Sequence, residues 1–315
     1  MAVSARSIAI AGVLDASATR HPRQDTYLDI FYGNISKPVH VLPRKETAMI
    51  NSFRTAIAAA TLAVVLPIAA QAQVADHSAH NVSAQPIRNV VLVHGAFADG
   101  SGWRGVYNEL TARGYRVSMV QNPLTSLKDD VDATVRVLAR QDGPTILVGH
   151  SWGGTVITEA GVDPKVAGLV YVSALAPDAG ETTAQQYEGF PAASEFVIDA
   201  QADGYGFVNP AKFKIGFAAD TSDADAAFLR DSQVPINLSV FATKLEHAAW
   251  RTRPSWAVIA TRDNAFGAGM LHKMAKRIGA TITEVPASHA VFMTQPKAVA
   301  DVIDRAAKEA GRKPR

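Results

Sequence analysis

Ile146-Leu147-Val148-Gly149-His150-Ser151-Trp152-Gly153-Gly154-Thr155-Val156-Ile157 is the stretch whose reading decides the fold. Three apolar residues run into Gly149, a serine stands among small neighbours, and a helix-compatible sequence follows. Strand, sharp turn and helix in that order make a nucleophile elbow, with Ser151 as the candidate nucleophile. The serine of such a turn occupies a strained backbone position, and Gly149 and Gly153 keep side chains away from the crossing of strand and helix. A G-x-S-x-G match alone recurs in many unrelated chains. The flanking strand and helix give this one its weight.

Upstream of the elbow, Asn89 to His94 is apolar nearly throughout, which predicts a strand buried on both faces of a parallel sheet. Gly95, Ala96, Gly100 and Gly102 follow in a glycine-rich turn, placed where a backbone amide has to face a developing oxyanion. A helix is expected from about Trp103 to Arg113, with Trp103, Val106, Tyr107 and Leu110 on one face, stopped by Gly114. Tyr115 to Val120 reads as the second strand. Ser126, with Asp129 three residues on, reads as an acidic variant of a capping box opening a helix that turns Val131, Val135 and Leu138 inward.

Downstream, Val166 to Val172 and Ser255 to Ala260 are strands, a helix runs from about Ala268 to Ile278, and Ala280 to Val285 is the last strand before the closing helix. Such alternation predicts an α/β fold with a parallel sheet and right-handed crossovers. Between about residues 176 and 253 the rhythm breaks. That stretch shows no clear strand and holds Phe190, Phe196, Phe207, Phe213, Phe217, Phe228 and Phe241, seven of the twelve phenylalanines, so it reads as a helical cap over the site. Its aromatics either line an apolar pocket or form the cap's own small core.

Asp263 and His289 each fall just past the carboxyl end of a strand, on the sheet edge that carries Ser151. A nucleophilic hydroxyl needs a base, and the base needs an acid to orient it; the order Ser, Asp, His supplies both. Asp178, after the preceding strand, is the rival acid. His94 and His150 flank the site and read as buried, hydrogen-bonded supports. His247 and His272 have surface or packing roles by default.

The N-terminal region follows a different logic. From Met49 a short basic start, an apolar run from Ala56 to Ala70 and an Ala70-Gln71-Ala72 site make a secretory signal peptide over residues 49–72, with the mature chain expected to begin at Gln73 in the periplasm or outside the cell. Residues 1–48 then read as an extension upstream of a mis-assigned start. Without the first 72 residues, and the seven Lys/Arg and four Asp/Glu they contain, 243 residues remain with 24 basic and 25 acidic side chains. That length suits one domain with a modest insertion, and the near-neutral charge gives no electrostatic case for nucleic acid. No stable membrane association is expected after cleavage. Asp76, His77 and His80 read as part of a solvated tail rather than a metal site. The absence of cysteine excludes disulfides, thiolate metal ligands and a cysteine nucleophile.

Together, His94-Gly95-Ala96-Phe97, the elbow, Asp263 and Ser288-His289 resemble the α/β-hydrolase superfamily over about residues 88 to 315, and within it the small-molecule esterase and hydroxynitrile-lyase branch. The resemblance implies a mostly parallel sheet flanked by helices, a triad of Ser151, Asp263 and His289, and oxyanion donors from the backbone N–H groups of Ala96 and Trp152, with Phe97 as the neighbouring candidate. It implies no cofactor and no metal. The superfamily's usual first two antiparallel strands are missing ahead of Asn89. The lyases of this branch carry a threonine where this chain has Gly95 and a lysine where it has Ala290, so hydrolysis of small neutral esters is the expected activity. A lyase, cofactor-free haloperoxidase or C–C hydrolase on the same triad, and a catalytically inert binding module, are the alternatives.

Overall fold

The computed structural model describes residues 86–311 and the short strand β1 (Ser7–Ala9). The expected signal peptide and the Asp76/His77/His80 tail lie outside the described residues. In the main domain, β2 (Asn89–Val93) leads through the glycine-rich turn to α1 (Arg104–Ala112), then β3 (Arg116–Val120), α2 (Leu127–Ala139), β4 (Thr145–His150), α3 (Trp152–Ala160) and β5 (Val166–Val172). After an insertion the alternation resumes with β9 (Ser255–Ala260), α6 (Ala268–Arg277), β10 (Thr281–Val285), α7 (Val291–Thr294) and α8 (Pro296–Ala310). The six strands form one sheet in the order β10-β9-β5-β4-β2-β3, every pair parallel.

Side-chain alternation along the strands divides the core in two. Val91, Val93, Leu147, Leu169, Tyr171, Ala257 and Ile259 belong to one apolar cluster, together with residues of α2, α3 and α6. Val90, Leu92, Ile146, Val148, Val170, Val172 and Val258 belong to the other, with α1 and α8. Because both faces are covered, β2, β4 and β9 are buried at every position, as their nearly continuous apolar sequences require. The edge strands β3 and β10 are buried only at their last residue, Val120 and Val285.

The helix α2 keeps its expected face at Leu138, which is buried, and at Val131, which packs against the core, but not at Val135. Its buried residues are Leu127, Asp130, Thr134 and Leu138, while Val135 is exposed. Two buried polar residues occupy the inward stripe, which displaced an apolar-only reading of the period. Ser126 caps this helix as expected, its Oγ accepting the Asp129 N–H at 3.0 Å.

The insertion between β5 and β9 contains short helices, α4 (Phe213–Phe217) and α5 (Asp223–Asp231), and also strands that the sequence reading did not anticipate. β6 (Val197–Ala200) and β7 (Tyr205–Val208) form a hairpin, β8 (Ile236–Asn237) adds to β7, and β1 pairs antiparallel with β6. The hairpin turns at Asp203-Gly204, with Gly204 at φ 87° and the Tyr205 N–H donating to Asp203 Oδ1 at 3.1 Å. Four-residue strands are too short to stand out as a period, but Asp-Gly between them is a hairpin signal.

Candidate active site

Reading the sheet order from β2, the chain goes first to β3 on one side and then to β4 on the other. The loops leaving the carboxyl ends of β2 and β4 therefore diverge, and a crevice opens between them where open α/β sheets bind their ligands. His94 to Phe97 stand on one side of that switch point and Ser151 on the other.

Ser151 joins β4 to α3 at φ 54°, ψ −122°, a left-handed region that a non-glycine residue rarely occupies. The surroundings enforce it. A Cβ on Gly149 would lie 2.4 Å from the Gly153 carbonyl oxygen, one on Gly153 would lie 2.6 Å from that of Val93, and one on Gly95 would lie 2.8 Å from Ser151 Cβ. Close backbone crossing at the turn thus excludes side chains at all three positions. The Ser151 N–H donates to the Val172 carbonyl at 3.3 Å, and its own carbonyl accepts the N–H groups of Gly154 and Leu175 at 2.9 and 3.2 Å.

His289 and Asp263 meet as a fully buried pair, with 2.7 Å between His289 Nδ1 and Asp263 Oδ2. The other carboxylate oxygen accepts the N–H groups of Ala265 and Phe266 at 2.8 and 3.0 Å, so the carboxylate is held on both sides. An ionised Asp263 can only accept, so Nδ1 carries the proton and the lone pair of a neutral imidazole is on Nε2. His289 Nε2 is buried without a hydrogen-bond partner among the described residues. The rival carboxylate is elsewhere: Asp178 makes a two-point pair with Arg251, at 2.8 and 2.6 Å, which holds its carboxyl below the usual range.

The two flanking histidines are supports. His94 Nε2 accepts the Asn122 N–H at 2.9 Å, so its Nδ1 donates to the Gly95 carbonyl at 2.8 Å and the ring is neutral. His150 Nε2 donates to the His289 carbonyl at 3.0 Å, and their ring centroids lie 4.6 Å apart. Burial first, then the neighbouring His289, pushes the His150 pKa well below its ordinary value. A neutral His150 does not repel a proton arriving on His289. His247 and His272 pair with Glu159 and Glu284. Glu159, Glu246 and His247 are near enough to hold a metal, but Glu159 already accepts His247 Nδ1 at 2.6 Å and the N–H groups of Glu246 and His247.

Among the described residues, the Ala96, Phe97 and Trp152 amides have no backbone acceptor outside helices and strands. Trp152 is the first residue of α3, where the helix dipole adds to the N–H. Its indole Nε1 donates at 2.8 Å to Asp130, whose other oxygen accepts the Leu124 N–H at 2.8 Å. No sequence signal pointed to Asp130 beyond its place on the stripe of Leu127 and Leu138. Phe196, Phe217 and Phe266 surround the His289 ring at 6.2, 5.1 and 4.8 Å between centroids. Of the cap phenylalanines, Phe196 and Phe217 therefore face His289, Phe241 packs on Trp152, and Phe228 is exposed.

A family model of the alpha/beta hydrolase family matches residues 90–302, and the chain belongs to that family. A pyrethroid hydrolase of Sphingobium wenxiniae is 34% identical over 109 residues, spanning 30% of this chain and 39% of that protein. A carbendazim hydrolyzing esterase of a Nocardioides species is 32% identical over 108 residues, spanning 30% of this chain and 45% of its own length, so less than half of either relative is matched. An alpha/beta hydrolase of Aspergillus novofumigatus is 26% identical over 252 residues, covering 70% of this chain and 97% of that one. Among solved structures, a pyrethroid hydrolase superposes with a TM-score of 0.63 at 22% identity over 72% of this chain and 100% of the other. Polyneuridine aldehyde esterase gives 0.61 at 18% over 70% and 99%. These structures share the fold.

Proposed function

We propose that the protein is a carboxylic ester hydrolase acting through an acyl-enzyme on Ser151. The observation that carries this reading is the buried His289–Asp263 pair, whose Nε2 is left without a partner and whose histidine is tied to His150, the residue before a serine held in a nucleophile-elbow conformation. His289 Nε2 takes the Ser151 hydroxyl proton as Oγ attacks the ester carbonyl, and the amides of Ala96 and Trp152 receive the oxyanion, with Phe97 as the neighbouring donor. The imidazolium is stabilised by Asp263 and returns its proton to the departing alcohol. Water then enters by the same base catalysis, and the acid leaves Ser151. No step requires a cofactor or metal.

The relatives named for hydrolysing pyrethroids and carbendazim support the same chemistry and a neutral, hydrophobic substrate. The lyase alternative lacks both of its distinguishing side chains here, and the packing leaves no room for the first. Any side chain at position 95 would collide with Ser151 and His150, and Ala290, where the lyases have their cation, is completely buried.

The test is turnover of a short p-nitrophenyl ester. Ser151→Ala and His289→Ala are each expected to lower kcat by roughly three to six orders of magnitude in a folded protein, because a nucleophile and its base act as a unit. Wild-type turnover in either variant would end the proposal.

A further inference from the structure

Ser151 is 7% exposed and His289 not at all, so both are closed off from solvent with the cap seated as it is. Phe217, whose ring lies edge-on to His289, heads the cap segment 217–220 that closes this side of the base. The same segment also ties down the turn on which the base sits. The Phe217 carbonyl accepts the Ala290 N–H at 3.1 Å. Three residues on, the half-buried Asp220 carboxylate accepts the Ser288 N–H at 3.1 Å, the Ser288 hydroxyl, and the Thr294 hydroxyl at 3.1 Å. The residues immediately before and after His289 are thus bound to the cap, while the main domain holds His289 itself through Asp263 and His150.

We propose that Asp220 is a positioning residue for His289: by holding Ser288 and Thr294 it keeps the base in register only while the cap segment 217–220 is seated. Substrate entry displaces the segment and slackens the turn, and reseating over bound substrate restores the placement of Nε2 against Ser151. Closure of the cap and assembly of the base are then one event. The carboxylate acts as an acceptor of hydrogen bonds from the turn, and its charge is not the operative property. This rests on the assignment of Ser151 and His289 as nucleophile and base.

The experiment uses the full chain, with p-nitrophenyl butyrate for kcat and KM and a fluorophosphonate probe for the rate at which Ser151 is labelled. Asp220→Ala leaves the buried Ser288 donors unpaired, and it is expected to lower kcat by roughly 10- to 100-fold, the scale on which a misplaced catalytic group costs rate. KM should stay within about threefold, and probe labelling should slow in step with kcat. Asp220→Asn keeps an acceptor for the Ser288 amide and the Thr294 hydroxyl and should recover most of that loss. A kcat for Asp220→Ala within about twofold of wild type, a change confined to KM, or an Asn variant as slow as the Ala variant would overturn the proposal. Should Asp220→Ala not fold, Ser288→Ala removes a single hydroxyl contact; a reduced kcat there supports the coupling and an unchanged one refutes it. Failure of the underlying reading looks different: the wild-type protein itself would not react with the probe, or Ser151→Ala would still be labelled.

Discussion

A serine at φ 54° costs of order 1–3 kcal/mol in backbone strain, so something must hold Ser151 there. Its own N–H and C=O are bonded to β5 and to the segment after it, and the packed glycines leave the turn no room to relax. His289 is held as firmly, and here the proposed acid can be tested. Asp263→Asn should keep the side-chain shape but, with its oxygen held by the Ala265 and Phe266 amides, turn an NH2 toward His289 Nδ1, impose the wrong tautomer and remove the charge that stabilises the imidazolium, with a fall in kcat of up to about ten-thousand-fold. Asp178→Asn breaks only a surface pair with Arg251 and should change kcat little. Measuring both settles the assignment, since a reversed order would give the acid's role to Asp178. The turn at Ser151 and the pairing of Asp263 with His289 were legible because the strand pattern puts all three positions on one edge of the sheet. Asp220 was not, because its role arises from contacts with Ser288 and Thr294, 68 and 74 residues away.

At the scale of elements, β2, β4, β5 and β9 announce themselves by apolar runs; β2, β5 and β9 lie within a residue of expectation, and β4 extends the run 146–148 to Thr145–His150. The cap hairpin and the inward face of α2 did not, the first because its strands have four residues, the second because Asp130 and Thr134 point into the core. Asp130 has a measurable consequence. Burial raises its pKa to about 6, and the hydrogen bonds from Trp152 and Leu124 oppose that only in part. A carboxyl whose folded pKa exceeds its unfolded value near 3.8 binds more protons in the folded state between those two values. Its contribution to stability is therefore fully present below about pH 4 and is lost as pH rises through about 6, by at most about 3 kcal/mol. Asp130→Asn replaces one of two acceptors by a donor and should be less stable, by an offset that does not titrate. Denaturant unfolding of both proteins from pH 4 to 7 should show wild type losing ground to the variant as pH rises and a level difference above. A difference that grew in the opposite direction would show that Asp130 ionises readily in place.

For the whole molecule, the parallel sheet provides the chemistry and the insertion decides what meets it. The switch point between β2 and β4 brings Ala96, Phe97, Ser151 and Trp152 together, β9 and β10 deliver Asp263 and His289, and the cap closes over them with Phe196 and Phe217. A groove of about 400 Å³ that reaches Asp263 and Phe266, but is lined by neither Ser151 nor His289, also has Phe190, Pro191, Glu195, Asn264 and Met270 in its walls. Glu195, its one acidic side chain apart from the buried Asp263, is paired with Lys212. The phenylalanines around the His289 ring favour uncharged, hydrophobic esters, because each CH₂ buried gains about 0.8 kcal/mol whereas an unpaired charge taken from water costs several. In a graded series of neutral esters kcat/KM should therefore rise with acyl or alcohol size, then fall once the space under the cap is filled, since overpacking costs roughly 1–3 kcal/mol. A carboxylate-bearing ester of equal size should be turned over far less efficiently, and a long exposed polymer hardly at all. Equal or better kcat/KM for the charged ester would mean that the phenylalanines around His289 pack only against one another and the base, and that substrate approaches Ser151 by a polar route.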